Sequence, residues 1–323
     1  MKITETVRHY LVDLQVRGRT AVTVADYSRR LDDVVELLEK LCSISELEQV
    51  RVQHLRQCVQ HMLTAKIEYV RGRKSDNGLL SPVTVRAYVR VIKAFFHWCY
   101  QEDLVSDDPS KRLVAPKVPT RVVPAFTEEH IEKMLATFDT STPTGFRDYV
   151  IILLLLDTGM RLSELCGLNV DDVHEGFVKV FGKGRKEREI GMHPEVGKLL
   201  WKYMHKYRRP ADPAEKALFI GHGKRLLVQG VQDVTKRVQQ RSGLQGIKFS
   251  PHIFRHTFAK MYLEKGGELF KLSREMGHSS VQITSNVYLG DFSSTEARRE
   301  HTAYSPISGI DLKKKKKRGK KRE

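Results

Sequence analysis

The chain has 323 residues, 40% of them hydrophobic and 29% charged, with 56 Lys and Arg against 39 Asp and Glu. That length is enough for two domains with separate cores. The formal charge of +17 favours a polyanionic partner, either nucleic acid or an anionic membrane surface.

Lys313 to Arg322 carries nine basic side chains and no acid; taking nine from seventeen leaves +8, so the body is basic without its tail. The opening Met-Lys-Ile-Thr-Glu-Thr lacks the apolar stretch of a signal peptide. The longest apolar run, Tyr149 to Leu156, is too short to cross a bilayer and reads as a buried helix. No membrane is therefore expected as a partner. Cys42, Cys58, Cys99 and Cys166 form no CxxC pair and no zinc-finger pattern with histidine, which reads as reduced thiols in a cytoplasmic protein.

Thr20 to Lys40 places Val24, Tyr27, Leu31, Val34, Val35 and Leu38 at a helical period. Ile44 to Val70 repeats it through Leu47, Val50, Leu55, Val59 and Met62, and predicts a second long helix. Arg71 to Gly78 is polar and loop-like. Ser81-Pro82 opens a further helix, with proline at an early position and Val85, Tyr88, Val89, Ile92, Phe95 and Phe96 as its buried stripe. Thr84, Arg86, Arg90 and Lys93 lie mainly off that stripe and are the candidates for contact with a DNA groove. No β-rich segment is expected before residue 113. Leu113 to Pro124 contains three prolines, which oppose helix and central strand, and reads as a linker.

The second domain begins at Phe126, with Thr127 as N-cap and acids in the first turn. Helices continue through Leu156, Asp157-Thr158-Gly159 breaks the run, and a new helix starts near Met160. Phe177 to Phe181, the turn Gly182 to Lys186, and Arg188 to Met192 read as a β-hairpin. From Pro194 to Gly290 the pattern is again mostly helical. The predicted fold is mainly α with a small antiparallel β-sheet. It comprises a helical domain over 1–112, a linker over 113–124, a second domain over 125–300 and a basic tail over 301–323.

Several residues carry chemistry. Arg161 is predicted in the first turn of its helix, with Glu164 on the same face able to orient a neighbouring Arg or His. His252 and Arg255 share a face after Ser250-Pro251, which suit N-cap and N1. Gly277 reads as a helix stop before His278, and Tyr288 follows ten residues later. Lys183 sits at the hairpin tip, with Arg185, Lys186 and Arg188 as alternatives for a single cationic role there and as candidate DNA contacts. Taken singly, each has an ordinary structural reading. Together, two arginines, two histidines and a tyrosine are what a protein needs to break a DNA phosphodiester without a metal.

Four stretches carry those residues: Thr158-Gly-Met-Arg-Leu-Ser-Glu-Leu-Cys-Gly-Leu168, Gly182-Lys-Gly-Arg-Lys-Glu-Arg188, Ser250-Pro-His-Ile-Phe-Arg-His-Thr-Phe-Ala259, and Met276-Gly-His-Ser-Ser-Val-Gln-Ile-Thr-Ser-Asn-Val-Tyr288. In them the chain resembles the tyrosine recombinase (phage integrase) family, nearest to its Xer-like and mobile-element integrases. The likeness covers roughly residues 5 to 295, more loosely in the first domain. It implies an N-terminal all-α, SAM-like core-binding domain and a C-terminal catalytic domain.

It further implies that Tyr288 attacks DNA to leave a 3′-phosphotyrosine and a free 5′-hydroxyl. Arg161 and Arg255 would then stabilise the phosphate charge, with His252 and His278 bonded to the same phosphate and Lys183 protonating the leaving oxygen. No cofactor is implied, because the ester keeps the bond energy. The implied partners are double-stranded DNA sites, a homotetramer on two duplexes joined through a Holliday junction, and accessory proteins. The implied place is the cytoplasm, at the nucleoid in a prokaryote. A type IB topoisomerase and a non-catalytic DNA-binding protein of the same fold are the rival readings.

Overall fold

The computed structural model describes residues 1–65, 79–118, 124–182, 187–247, 249–277 and 280–288, with the backbone alone at residues 283 and 286–288. The polar stretch 71–78, linker residues 119–123 and the basic tail lie outside the described residues. The chain divides into two units, Met1–Arg121 and Val122–Glu323, each with its own apolar core.

The first unit contains helices α1 (Ile3–Val16), α2 (Ala21–Cys42), α3 (Val52–Thr64) and α4 (Pro82–Gln101). Thr20 caps α2 by accepting the Thr23 N–H at 3.3 Å, and Ser43 closes it in the left-handed region at φ 56°. Ser81 caps α4 in the same way through Thr84 N–H, with Pro82 at the first turn, where its missing donor costs nothing. The predicted stripe of α4 is the centre of this core: Val85, Tyr88, Val89, Ile92, Phe95 and Phe96 are all at most 1% exposed. The Tyr88 hydroxyl donates to Asp33 of α2 at 2.7 Å, which binds the two helices by more than apolar contact. Cys58 and Cys99 are fully buried free thiols whose pKa values burial pushes up to about 12, so both stay protonated and inert at neutral pH.

The long helix expected over Ile44–Val70 is not formed. Residues 44–46 are extended and pair with the start of the chain, Ile3 N–H donating to Ser45 O and Leu47 N–H to Met1 O, both at 2.9 Å. Leu47–Gln49 is one 3₁₀ turn, and α3 starts only at Val52. Leu47 and Val50 are buried as their spacing requires, but backbone pairing with the N-terminus overrides the helical period.

The second unit is built around α6 (Pro143–Thr158), following α5 (Glu128–Leu135), which Thr127 caps through His130 N–H. Val150, Ile151, Ile152, Leu154 and Leu155 of α6 are at most 1% exposed, so the helix is apolar on nearly every side, as a central helix must be. The short α7 (Leu162–Gly167) leads to a three-stranded antiparallel sheet of β1 (Val173–His174), β2 (Phe177–Phe181) and β3 (Glu187–Gly191). Val178 faces Ile190 across β2 and β3, and both are 0% exposed, so the inward face of the hairpin is set by its alternation. Strand β1 was not legible as a strand in the sequence.

Helix α8 (Pro194–Lys202) runs into a π-helical turn, Tyr203–Tyr207. The two-residue strands β4 (Ile220–Gly221) and β5 (Lys224–Arg225), joined by His222 and Gly223 at φ 50° and 79°, interrupt the helical reading of this stretch. Helix α9 (Val228–Ser242) is held to α6 by Asp148, which accepts from Arg147 and, at 2.8 Å, from Arg237. Helices α10 (Pro251–Glu264), α11 (Leu269–Glu275) and α12 (Val281–Tyr288) complete the unit. No described helix is long and apolar enough to cross a membrane.

Candidate active site

Gly159 ends α6 at φ +56°, and a Cβ there would lie 2.3 Å from the Phe258 ring of α10. Only glycine suits that position, because it needs both left-handed backbone and close approach. The turn places Arg161 at the N-cap of α7, with extended backbone (φ −72°, ψ 149°), one residue outside the helical turn predicted for it. Glu164 explains the position. Its Oε2 accepts the Arg161 backbone N–H at 2.8 Å, and its Oε1 accepts from Arg161 Nη1 at 3.0 Å, so one carboxylate fixes both the backbone and the side chain of the arginine.

Glu164 is 5% exposed and also receives a bidentate fork from Arg188 of β3, with Nη1 to Oε1 at 2.7 Å and Nη2 to Oε2 at 2.9 Å. Burial pushes the Glu164 pKa up, but the hydrogen bonds from Arg188 and Arg161 outweigh it and hold the carboxyl below its usual range. A folded pKa below the unfolded one stabilises the fold at neutral pH, and that stabilisation disappears as pH falls from the ordinary 4.5 through the folded value. Glu164→Gln is therefore expected to lower the melting temperature at pH 7, with the deficit to wild type narrowing towards pH 3. Melting curves that stay parallel across that range would refute the linkage.

Arg255 of α10 is 8% exposed. It donates through Nη1 to Gly159 O and through Nη2 to Met276 O, both at 2.6 Å. At the end of α11, three successive carbonyls each receive a different arginine. Glu275 O takes Arg188 Nε at 2.9 Å, Met276 O takes Arg255, and Gly277 O takes Arg161 Nη2 at 2.8 Å. Gly277 stands at φ +60°, as predicted for a helix stop, immediately before His278. Three elements far apart in sequence thus converge on one turn.

A profile of the phage integrase family matches residues 124–294. The chain belongs to that family. It is 31% identical over 288 residues to tyrosine recombinase XerD of Listeria monocytogenes, a match that covers 87% of this chain and 92% of the relative. Its fold is that of the Tn1549 transposon integrase solved with circular intermediate DNA (21% identity, TM-score 0.72, 94% of this chain and 99% of that one). It is likewise that of the λ integrase tetramer bound to a Holliday junction (16% identity, TM-score 0.66, 87% of this chain and 78% of that one). This member of the family is an Xer-like tyrosine recombinase, a site-specific DNA recombination enzyme.

The structure brings Arg161, Arg255 and Glu164 together, as their motifs suggested. His252 is exposed on the first turn of α10, three residues before Arg255. Ser250 stands at the N-cap of α10, but its hydroxyl makes no capping bond there. Tyr288 is the last residue of α12, and its side chain lies outside what is described, as do Lys183, Arg185, Lys186 and His278. Arg86 and Arg90 are exposed on α4, whereas Thr84 and Lys93 are half-buried. Arg188, one of the alternatives for the cationic role at the hairpin and a candidate DNA contact, is engaged by the Glu164 carboxylate and the Glu275 carbonyl. Its spacing from Glu164 carries no signal that would have paired the two.

Proposed function

We propose that this recombinase cleaves and rejoins duplex DNA at specific sites through a 3′-phosphotyrosine on Tyr288. The observation that supports this most is the convergence of Arg161 and Arg255 on the Gly277 and Met276 carbonyls. It sets two guanidiniums beside the turn that opens the His278–Tyr288 segment. In the proposed step the Tyr288 Oη bonds to phosphorus as the bond to the 5′-oxygen breaks. The phenolic proton departs with help from His252, and Lys183 delivers a proton to the 5′-oxygen. Arg161 and Arg255 meet the non-bridging oxygens, where the extra negative charge develops, and His278 hydrogen-bonds the same phosphate. The phosphotyrosine retains the energy of the broken bond, so rejoining needs no ATP.

The domains we propose are a helical DNA-binding domain over 1–112, a linker over 113–124, a catalytic domain over 125–300 and a basic tail over 301–323. Arg86 and Arg90, exposed on α4, are the best placed of the candidate DNA contacts in the first domain. Strand exchange between two sites calls for four subunits on two duplexes, the stoichiometry named for the λ integrase on a Holliday junction. Accessory proteins are further partners in this proposal, and its place is the cytoplasm, at the nucleoid in a prokaryote.

The test uses nicked duplexes drawn from the DNA flanking the gene, incubated with the full chain in EDTA and run on a denaturing gel. The expected result is a protein–DNA adduct whose released strand can be 5′-labelled by polynucleotide kinase without prior dephosphorylation. Native complexes with no adduct on any duplex would refute the recombinase reading. An adduct with a blocked 5′ end would refute the polarity of the step.

A further inference from the structure

We propose that Arg188 is a positioning residue for strand cleavage, acting through Glu164 and the carbonyls of 275–277 on the arginines that meet the phosphate. The inference rests on the recombinase reading above. Arg188 projects from β3, and its side chain is 16% exposed. Its donors are directed inward: both terminal nitrogens go to Glu164, and Nε goes to Glu275 O.

Its guanidinium also lies against Gly277. A Cβ at 277 would meet Arg188 Cζ at 2.8 Å, Nη1 at 2.9 Å and Nε at 3.0 Å. The absence of a side chain at 277 is therefore what lets the guanidinium sit under the turn. Arg188 thus holds the turn from below while Arg161 and Arg255 hold it from α7 and α10.

The second consequence is electrostatic. Glu164 is shared by two arginines. Without Arg188, both of its oxygens would face only Arg161. A carboxylate paired bidentately with Arg161 would draw that guanidinium away from a phosphate and offset its charge. Arg188 takes the larger share of the carboxylate and leaves Arg161 in place as a cation with N–H groups to offer. A contact between Arg188 and the DNA backbone is the competing account. It predicts a loss of affinity and a shallower salt dependence on removal of the side chain.

The experiment takes the full chain, as wild type, Arg188→Ala and Arg188→Lys, with nicked duplexes that trap the adduct at the mapped cleavage position. That position carries either the native phosphate or a methylphosphonate, which lacks one charged oxygen and so requires less cationic help. Binding, single-turnover cleavage and melting temperature are measured for each. Arg188→Ala is expected to cleave the phosphate about 100-fold more slowly, the scale of a catalytic group displaced by about an ångström. DNA affinity should stay within about threefold, since a positioning role adds no phosphate contact. The loss on methylphosphonate should be about tenfold or less, since the charge that Arg161 would meet is reduced there.

Arg188→Lys keeps the charge but not the fork, and should fall between wild type and alanine. It carries the test if the alanine variant fails to fold. An equal loss on both substrates, wild-type cleavage, or weakened binding with a shallower salt slope would each overturn the assignment. No adduct from wild type on any duplex would remove the recombinase reading and this proposal with it, a result distinct from equal losses.

Discussion

Tyr288→Phe is expected to bind DNA as wild type does and to form no covalent adduct. The substitution removes one oxygen and leaves the ring, so the proposed nucleophilic atom is lost with the least other change to the side chain. Removal of a nucleophile in a covalent enzyme costs about 10⁴-fold or more, enough to clear a gel of product. Tyr262 is the nearest described competitor in sequence, and it is poorly suited. Its ring packs on Phe258 at 5.8 Å between centroids, and burial together with the nearby Glu275 charge raises its pKa, which disfavours the phenolate. An adduct that survives in Tyr288→Phe would move the nucleophile elsewhere, and mass spectrometry of the digested adduct would say where.

Arg255→Ala should lose both chemistry and stability. The side chain is buried and satisfies Gly159 O and Met276 O with charge-assisted bonds. Its removal takes the guanidinium donors from both carbonyls and leaves a void in the space of a buried side chain. Each orphaned buried acceptor costs about 1–3 kcal/mol, so a total of several kcal/mol and a clear fall in melting temperature are expected. Cleavage should fall by about 10³-fold even well below the new melting temperature, since a preorganised donor to the developing charge is gone. Arg255→Lys separates the two effects. An ammonium restores the charge and some stability, but it cannot span two carbonyls and a phosphate at once. Cleavage at the wild-type rate in Arg255→Lys would exclude the guanidinium role.

What was legible in the sequence follows physical locality. The Arg161–Glu164 pair is written at i,i+3, so its mutual contact could be read directly, and the Val178/Ile190 face of the hairpin shows in its alternation. The Leu47 and Val50 positions were read correctly as core but wrongly as helix. Periodicity reports burial, and the backbone there is claimed by pairing with residues 1–3, a contact across more than forty positions. Strands β4 and β5 have two residues each, too short for any pattern, and only His222-Gly223 marks their turn. Arg188 could not be told apart in the sequence because Arg185, Lys186 and Arg188 look alike on a basic hairpin. Its distinction comes from a carboxylate 24 positions away, which no local pattern encodes.

The turn at 275–277 has a further meaning. Protein cations are usually ordered by acids, which hold them still and cancel them together. Here three guanidiniums are held by three neutral carbonyls, and Glu164 is the acid described in bonds to two of them, Arg161 and Arg188. Counting only these bonded groups, one carboxylate against three guanidiniums leaves two positive charges, ordered before any substrate arrives. A phosphodiester brings one negative charge, and attack by a phenolate makes it two. The turn is therefore a template for a dianion, matched to the fleeting state of the phosphate more closely than to its resting one.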